Sequence, residues 1–154
     1  MRHLLAVMLL ICAATIAAAQ SQAPPPELTL RDLEGKSPRK LSKDEVTQLM
    51  TGAKMARISG RGNQHYWTNG SDGKFVASSD NMGAGAVARG QGNVSQALGK
   101  WHISDDGRYC VLIEWKGVPT EEWCRFVLDT SVGHYMVKSD SVGTERVYKF
   151  NIKK

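Results

Sequence analysis

Beyond its first 16 residues this chain has no long apolar run. The longest, Leu4 to Ile16, falls short of the about 20 residues that a membrane-spanning helix needs. Cysteine is scarce, with three in 154 residues, and the first, Cys12, lies inside that apolar run. No Gly-x-Ser-x-Gly elbow or zincin motif occurs, so neither of those hydrolase signatures is present. Histidine is sparse as well: His65, His102 and His134 lie beyond the N-terminus, none at short spacing from another, which argues against a zinc centre. Each neighbours aromatic or apolar residues expected to face inward, so all three are expected on the outer face of a sheet. The positive charge is modest and not gathered into a basic stripe, which argues against nucleic acid.

What is present at the N-terminus reads as a targeting signal. Arg2 and His3 precede the apolar run, and Ala17-Ala18-Ala19 supplies the small residues that signal peptidase cleaves after. Cys12 follows Ile11 inside the run, which disfavours lipidation. Cleavage after Ala19 removes Arg2 and takes the formal charge from +5 to +4. It leaves Cys110 and Cys124, and two cysteines in an exported chain point to one disulfide rather than a metal site or catalytic thiol. The expected division is a signal peptide over 1–19, a flexible linker over 20–40 and one small domain over 41–154. Pro24-Pro25-Pro26 excludes a helix in the linker, and Leu28, Leu30 and Leu33 are candidates to cover the domain edge.

One helix is well marked, from Leu41 to Gly52. Ser42 is a good N-cap, Glu45 three residues on completes a capping box, and Leu41 and Val46 occupy the staple positions. Val46, Leu49 and Met50 form its apolar stripe, and Gly52 ends it. From Ala53 on, period-2 alternation separated by Gly, Asn and Asp turns predicts strands. Asn69-Gly70-Ser71-Asp72-Gly73 is the richest turn signal. Residues 80 to 99 are Gly-rich and read equally as a mobile loop or as a loop with a short strand near Ala86. The densest β signal runs from Gly99 to Phe126. Tyr109, Val111, Ile113 and Trp115 share one face, and pairing Cys110 with Cys124 puts Leu112 opposite Glu122 with a turn near residue 117. The expected fold is mainly β: an antiparallel meander of about eight strands curling into a small barrel, with one N-terminal helix and one disulfide.

Candidate chemistry is thin. Glu121-Glu122 and Asp105-Asp106 are paired carboxylates beside turns, where acids serve local hydrogen bonds. Arg57, Arg61, Lys74 and Arg89 are candidate contacts for an anionic ligand. Trp67, Trp101, Trp115 and Trp123 are candidates to line an apolar cavity, against the commoner role of filling a small barrel.

The helix motif L-S-x-D-E-V-x-x-L-M-x-G, followed by G-K-W-H-I-S-D-D-G-R-Y-C and a second cysteine, resembles the bacterial "domain of unknown function 995" family over about residues 41 to 150. That resemblance implies a small exported protein of the cell envelope and carries no established activity. The expected function is therefore a non-catalytic binding or interaction module, periplasmic or secreted and monomeric, without cofactor or metal. Its partner would be an envelope component or a protein. A lipocalin-like carrier of a hydrophobic ligand and an inhibitor of a secreted hydrolase are the alternatives, and an unrecognised hydrolase ranks last.

Overall fold

The computed structural model describes residues 27–59, 62–80, 94–140 and 143–154. The expected signal peptide, the start of the linker, Arg61 and Arg89 lie outside them. In chain order come β1 (Leu28–Thr29), a 3-10 helix (Leu30–Lys36), β2 (Arg39–Lys40) and α1 (Lys43–Met50). Eight longer strands follow: β3 (Lys54–Ile58), β4 (Gln64–Thr68), β5 (Lys74–Ser79), β6 (Ser95–Ile103), β7 (Tyr109–Trp115), β8 (Glu121–Thr130), β9 (Gly133–Val137) and β10 (Arg146–Lys153).

Each of β3 to β10 pairs antiparallel with the next, and β10 returns to pair with β3, so eight strands close into a barrel. Closure leaves no long strand edge unpaired, which is the physical reason a sequential meander curls. The Cys110–Cys124 disulfide joins β7 to β8, with Leu112 opposite Glu122 as expected. It closes a loop of sequence separation 14, worth ~3 kcal/mol in the chain-entropy view.

The short N-terminal elements pair with two of the long strands. β1 pairs with the start of β10, and β2 pairs with β8 beyond the end of β7. Between them the 3-10 helix buries Leu33 against Leu128, Tyr135, Val137 and Val147 on the outer face of β8 to β10. Residues 28–40, expected as part of a flexible linker, thus form a second, external apolar core. Leu28, Leu30 and Leu33 do cover the domain, and burying the leucines offsets the entropy of ordering that segment.

The main core lies within the barrel. Side chains alternate inward along every strand, bringing Met55, Trp67, Phe75, Trp101, Tyr109, Ile113, Val127, Met136 and Phe150 together. α1 plugs one end with Leu41, Val46 and Met50. Ser42 caps it as expected: the Glu45 amide donates to Ser42 Oγ at 3.3 Å, and the Ser42 amide donates to the Glu45 carboxylate at 2.8 Å. Gly52 follows at φ 72°, the left-handed conformation that ends helices.

A buried polar network locks this plug to the barrel. The Trp67 indole N–H donates to Asn69 Oδ1 and to Tyr109 Oη, each at 3.1 Å, and the Tyr109 hydroxyl donates to Asn69 Oδ1 at 2.9 Å. Asn69 Nδ2 then donates to the Met50 carbonyl at 3.0 Å, satisfying one of the carbonyls that a helix leaves free at its C-terminus. Burial pushes the Tyr109 hydroxyl far above the usual range, so it stays a neutral donor.

Candidate functional site

β3 leaves α1 at Lys54, and by Arg57 it has reached the half of the barrel away from the plug. Inward alternation places Arg57 (β3), His65 (β4), Trp115 (β7), Glu121, Trp123 and Arg125 (β8) and Tyr148 (β10) in that half. The two guanidiniums flank one indole: the Arg125 Cζ lies 4.8 Å and the Arg57 Cζ 5.7 Å from the Trp123 ring centre. Arg125 also stacks 3.8 Å from the Tyr148 ring. Such faces stabilise a guanidinium through the ring quadrupole.

A single carboxylate serves this cluster. Glu121 forms an ion pair with Arg57 and accepts from the Trp123 indole N–H at 2.9 Å, with the Trp115 N–H further off at 3.4 Å. Arg125 has no carboxylate at ion-pairing distance among the described residues. The interior therefore carries two cations against one anion. Burial, helped by the charge of Arg125, lowers the Arg57 pKa to about 10, which still leaves it charged at neutral pH. Burial likewise lowers that of Arg125. His65 is held neutral, its pKa lowered to about 4 by burial first and the Arg57 charge second. Its ring sits 4.8 Å from that of Trp115.

Three polar atoms here are buried without a hydrogen-bond partner: Arg57 Nε, Arg125 Nη1 and His65 Nδ1. Natural interiors satisfy such groups, and an unpaired donor on a charged side chain is costly. The arrangement is suited to accept an anion, with Trp115, Trp123 and Tyr148 offering aromatic surface beside it. No group of His, Cys, Asp and Glu side chains among the described residues is arranged to hold a metal ion.

A family model described as "Protein of unknown function (DUF995)" matches residues 7–139. The chain belongs to the DUF995 family. No curated protein and no solved structure matches it.

In this DUF995 protein the sequence-based candidates divide among separate places. Of the candidate anion contacts, Arg57 lies in the interior cluster and Lys74 on the outer face of β5, while Arg61 and Arg89 fall outside the described residues. Of the tryptophans, Trp67 and Trp101 pack into the core beside α1, whereas Trp115 and Trp123 are half-buried at the cluster. His65 was expected outside but is 7% exposed and faces inward, because its neighbour Tyr66 takes the outer position on β4. His102 is exposed as expected, and His134 is half-buried with Nε2 3.6 Å from Asp129.

Arg125 was not among the candidates, and Glu121 was considered only as half of a carboxylate pair beside a turn. The signal was there in the alternation, since both share the inward parity of Trp123 and Val127. Glu121 instead read as a turn acid, because it follows Gly117-Val118-Pro119-Thr120.

Proposed function

We propose that the protein is a non-catalytic binding module whose barrel interior takes up a small anion with an aromatic or apolar body, a carboxylate above all. One observation carries this reading: two largely buried guanidiniums flank Trp123, the one carboxylate among them pairs with Arg57 and not with Arg125, and both guanidiniums keep unpartnered donors. A ligand carboxylate would satisfy the Arg125 donor with a charge-assisted hydrogen bond, and the neighbouring rings would cover the rest of the molecule. The half beside α1 is filled by Trp67, Phe75, Trp101 and Tyr109, which favours a small anionic ligand over a wholly apolar one. The disulfide and the apolar N-terminal segment support export to an oxidising compartment such as the periplasm.

The test is a tryptophan-fluorescence titration with aromatic and aliphatic monocarboxylates, each beside its neutral amide. Saturable quenching by carboxylates and not by amides is expected, and Arg125→Met should weaken it at least about tenfold, the effect of losing one charge-assisted hydrogen bond. Equal response to acids and amides, or an Arg125→Met protein that binds as tightly as the wild type, overturns the reading.

A further inference from the structure

The outer face of β3 to β6 carries large apolar side chains that no other described residue covers: Ile58 is 53% exposed, Tyr66 43%, Val76 57% and Leu98 66%. They are neighbours, since Tyr66 faces Ala56 on β3 and Ser78 on β5, and Val76 lies opposite Leu98. Contiguous exposed apolar surface of this kind marks an interaction face.

The barrel wall also opens there. β4 and β5 pair at His65↔Ser79 and Tyr66↔Ser78, and the turn closes with the Gly70 amide donating to the Lys74 carbonyl at 2.8 Å. Between those points the ladder is unzipped. A groove of about 530 Å³ forms between Tyr66, Thr68, Val76 and Ser78, floored by Met55 and Trp67 of the core.

Charge identifies the occupant. Along the α1 side of this patch, Lys54 stands opposite Lys153 and Lys74 opposite Lys100. Directly opposed like charges destabilise a sheet. Lys54, Lys100 and Lys153 form no ion pair among the described residues, and Lys74 has a contact of 3.9 Å to the exposed Asp72. Glu114, opposite Leu98, bounds the patch on the β7 side. A row of lysines bordering an apolar face complements a surface with anionic groups over an apolar layer.

We infer that this face docks on an anionic phospholipid bilayer, with Tyr66, Val76 and Leu98 entering the interface and Lys54, Lys74, Lys100 and Lys153 meeting the headgroups. Counter-charge from the lipid relieves the two lysine pairs, and the β4–β5 groove admits an apolar lipid group.

The experiment is co-sedimentation of the protein with vesicles of phosphatidylglycerol mixed with phosphatidylcholine, and with phosphatidylcholine alone, at low and high salt. Binding to the anionic vesicles that weakens with salt is expected. Lys74→Gln with Lys100→Gln should lower partitioning about fivefold per lysine. Leu98→Gln with Val76→Gln should abolish it, at a melting temperature close to that of the wild type because both side chains are exposed and the neutral amides place no like charges opposite one another. Equal partitioning to both vesicle types, or binding unaffected by either pair of substitutions, overturns the inference. So does self-association that Leu98→Gln dissolves without any vesicle binding, which assigns the face to a second copy of the chain.

Discussion

The ring of Phe75 lies over Gly99, its register partner on the neighbouring strand, and occupies the space where a side chain on Gly99 would stand. A glycine inside a strand costs conformational entropy, and here an aromatic ring packed across the ladder offsets that cost. The pair lies in the barrel core, where Phe75 also stacks 5.6 Å from Trp67. It explains why a Gly-rich stretch becomes strand: Ala97 and Gly99 are small because large aromatics from β4 and β5 take the interior volume. Residues 95–99, expected within a loop, accordingly begin β6. Residues 81–93 lie outside the described residues.

Gly99→Ala should therefore overpack the core by one methyl and destabilise the fold by about 1–3 kcal/mol. Thermal or denaturant unfolding measures the loss. Adding Phe75→Leu to Gly99→Ala should cost less than the sum of the two single changes, because the smaller side chain makes room for the methyl. Strict additivity would show that the two residues do not compete for the same space.

His65 makes stability depend on pH. Its folded pKa is about 4 against an ordinary value of 6.5, so the unfolded chain binds the extra proton first. The contribution is complete above pH 6.5 and is lost as pH falls through the window down to about 4, by up to ~3 kcal/mol. His65→Gln should flatten the difference in stability between pH 7 and pH 5. An unchanged slope would mean that other groups carry the acid sensitivity.

Ser42→Ala should cost ~1 kcal/mol, since it removes the acceptor for the Glu45 amide while Val46 and Met50 keep α1 packed on the barrel. Ligand quenching of the interior tryptophans should be unaffected, because α1 closes the opposite half. A protein as stable as the wild type would place the capping contribution elsewhere.

Cys110 and Cys124 should resist thiol labelling in the native protein, and replacing both by Ala should lower stability by ~3 kcal/mol without altering the fold. Unfolding curves and circular dichroism test both parts. Stoichiometric labelling of the two thiols would refute the bridge.

What the sequence determined by itself was everything set by local pattern. The capping box around Ser42 depends on residues three apart, the strands of the Gly99–Phe126 region on period-2 alternation, and the Cys110–Cys124 register on one short turn. Closure also followed from local rules, because eight consecutive antiparallel strands have no better way to bury their edges. The structure alone decided which alternating face turned inward where both faces carry mixed residues. On β4, His65 and Tyr66 are equally plausible inside, and the choice falls to the neighbours: Trp67 must reach Asn69 and Tyr109, which turns His65 inward with it. Alternation with Trp123 and Val127 sets Glu121 and Arg125 on the inward face, but their meeting with Arg57 of β3 depends on a tilted, closed barrel that brings distant strands across one interior. Leu33 is the last case, since its burial depends on a patch assembled from β8, β9 and β10. Contacts of that kind depend on how distant segments meet in the folded chain, which no local pattern encodes.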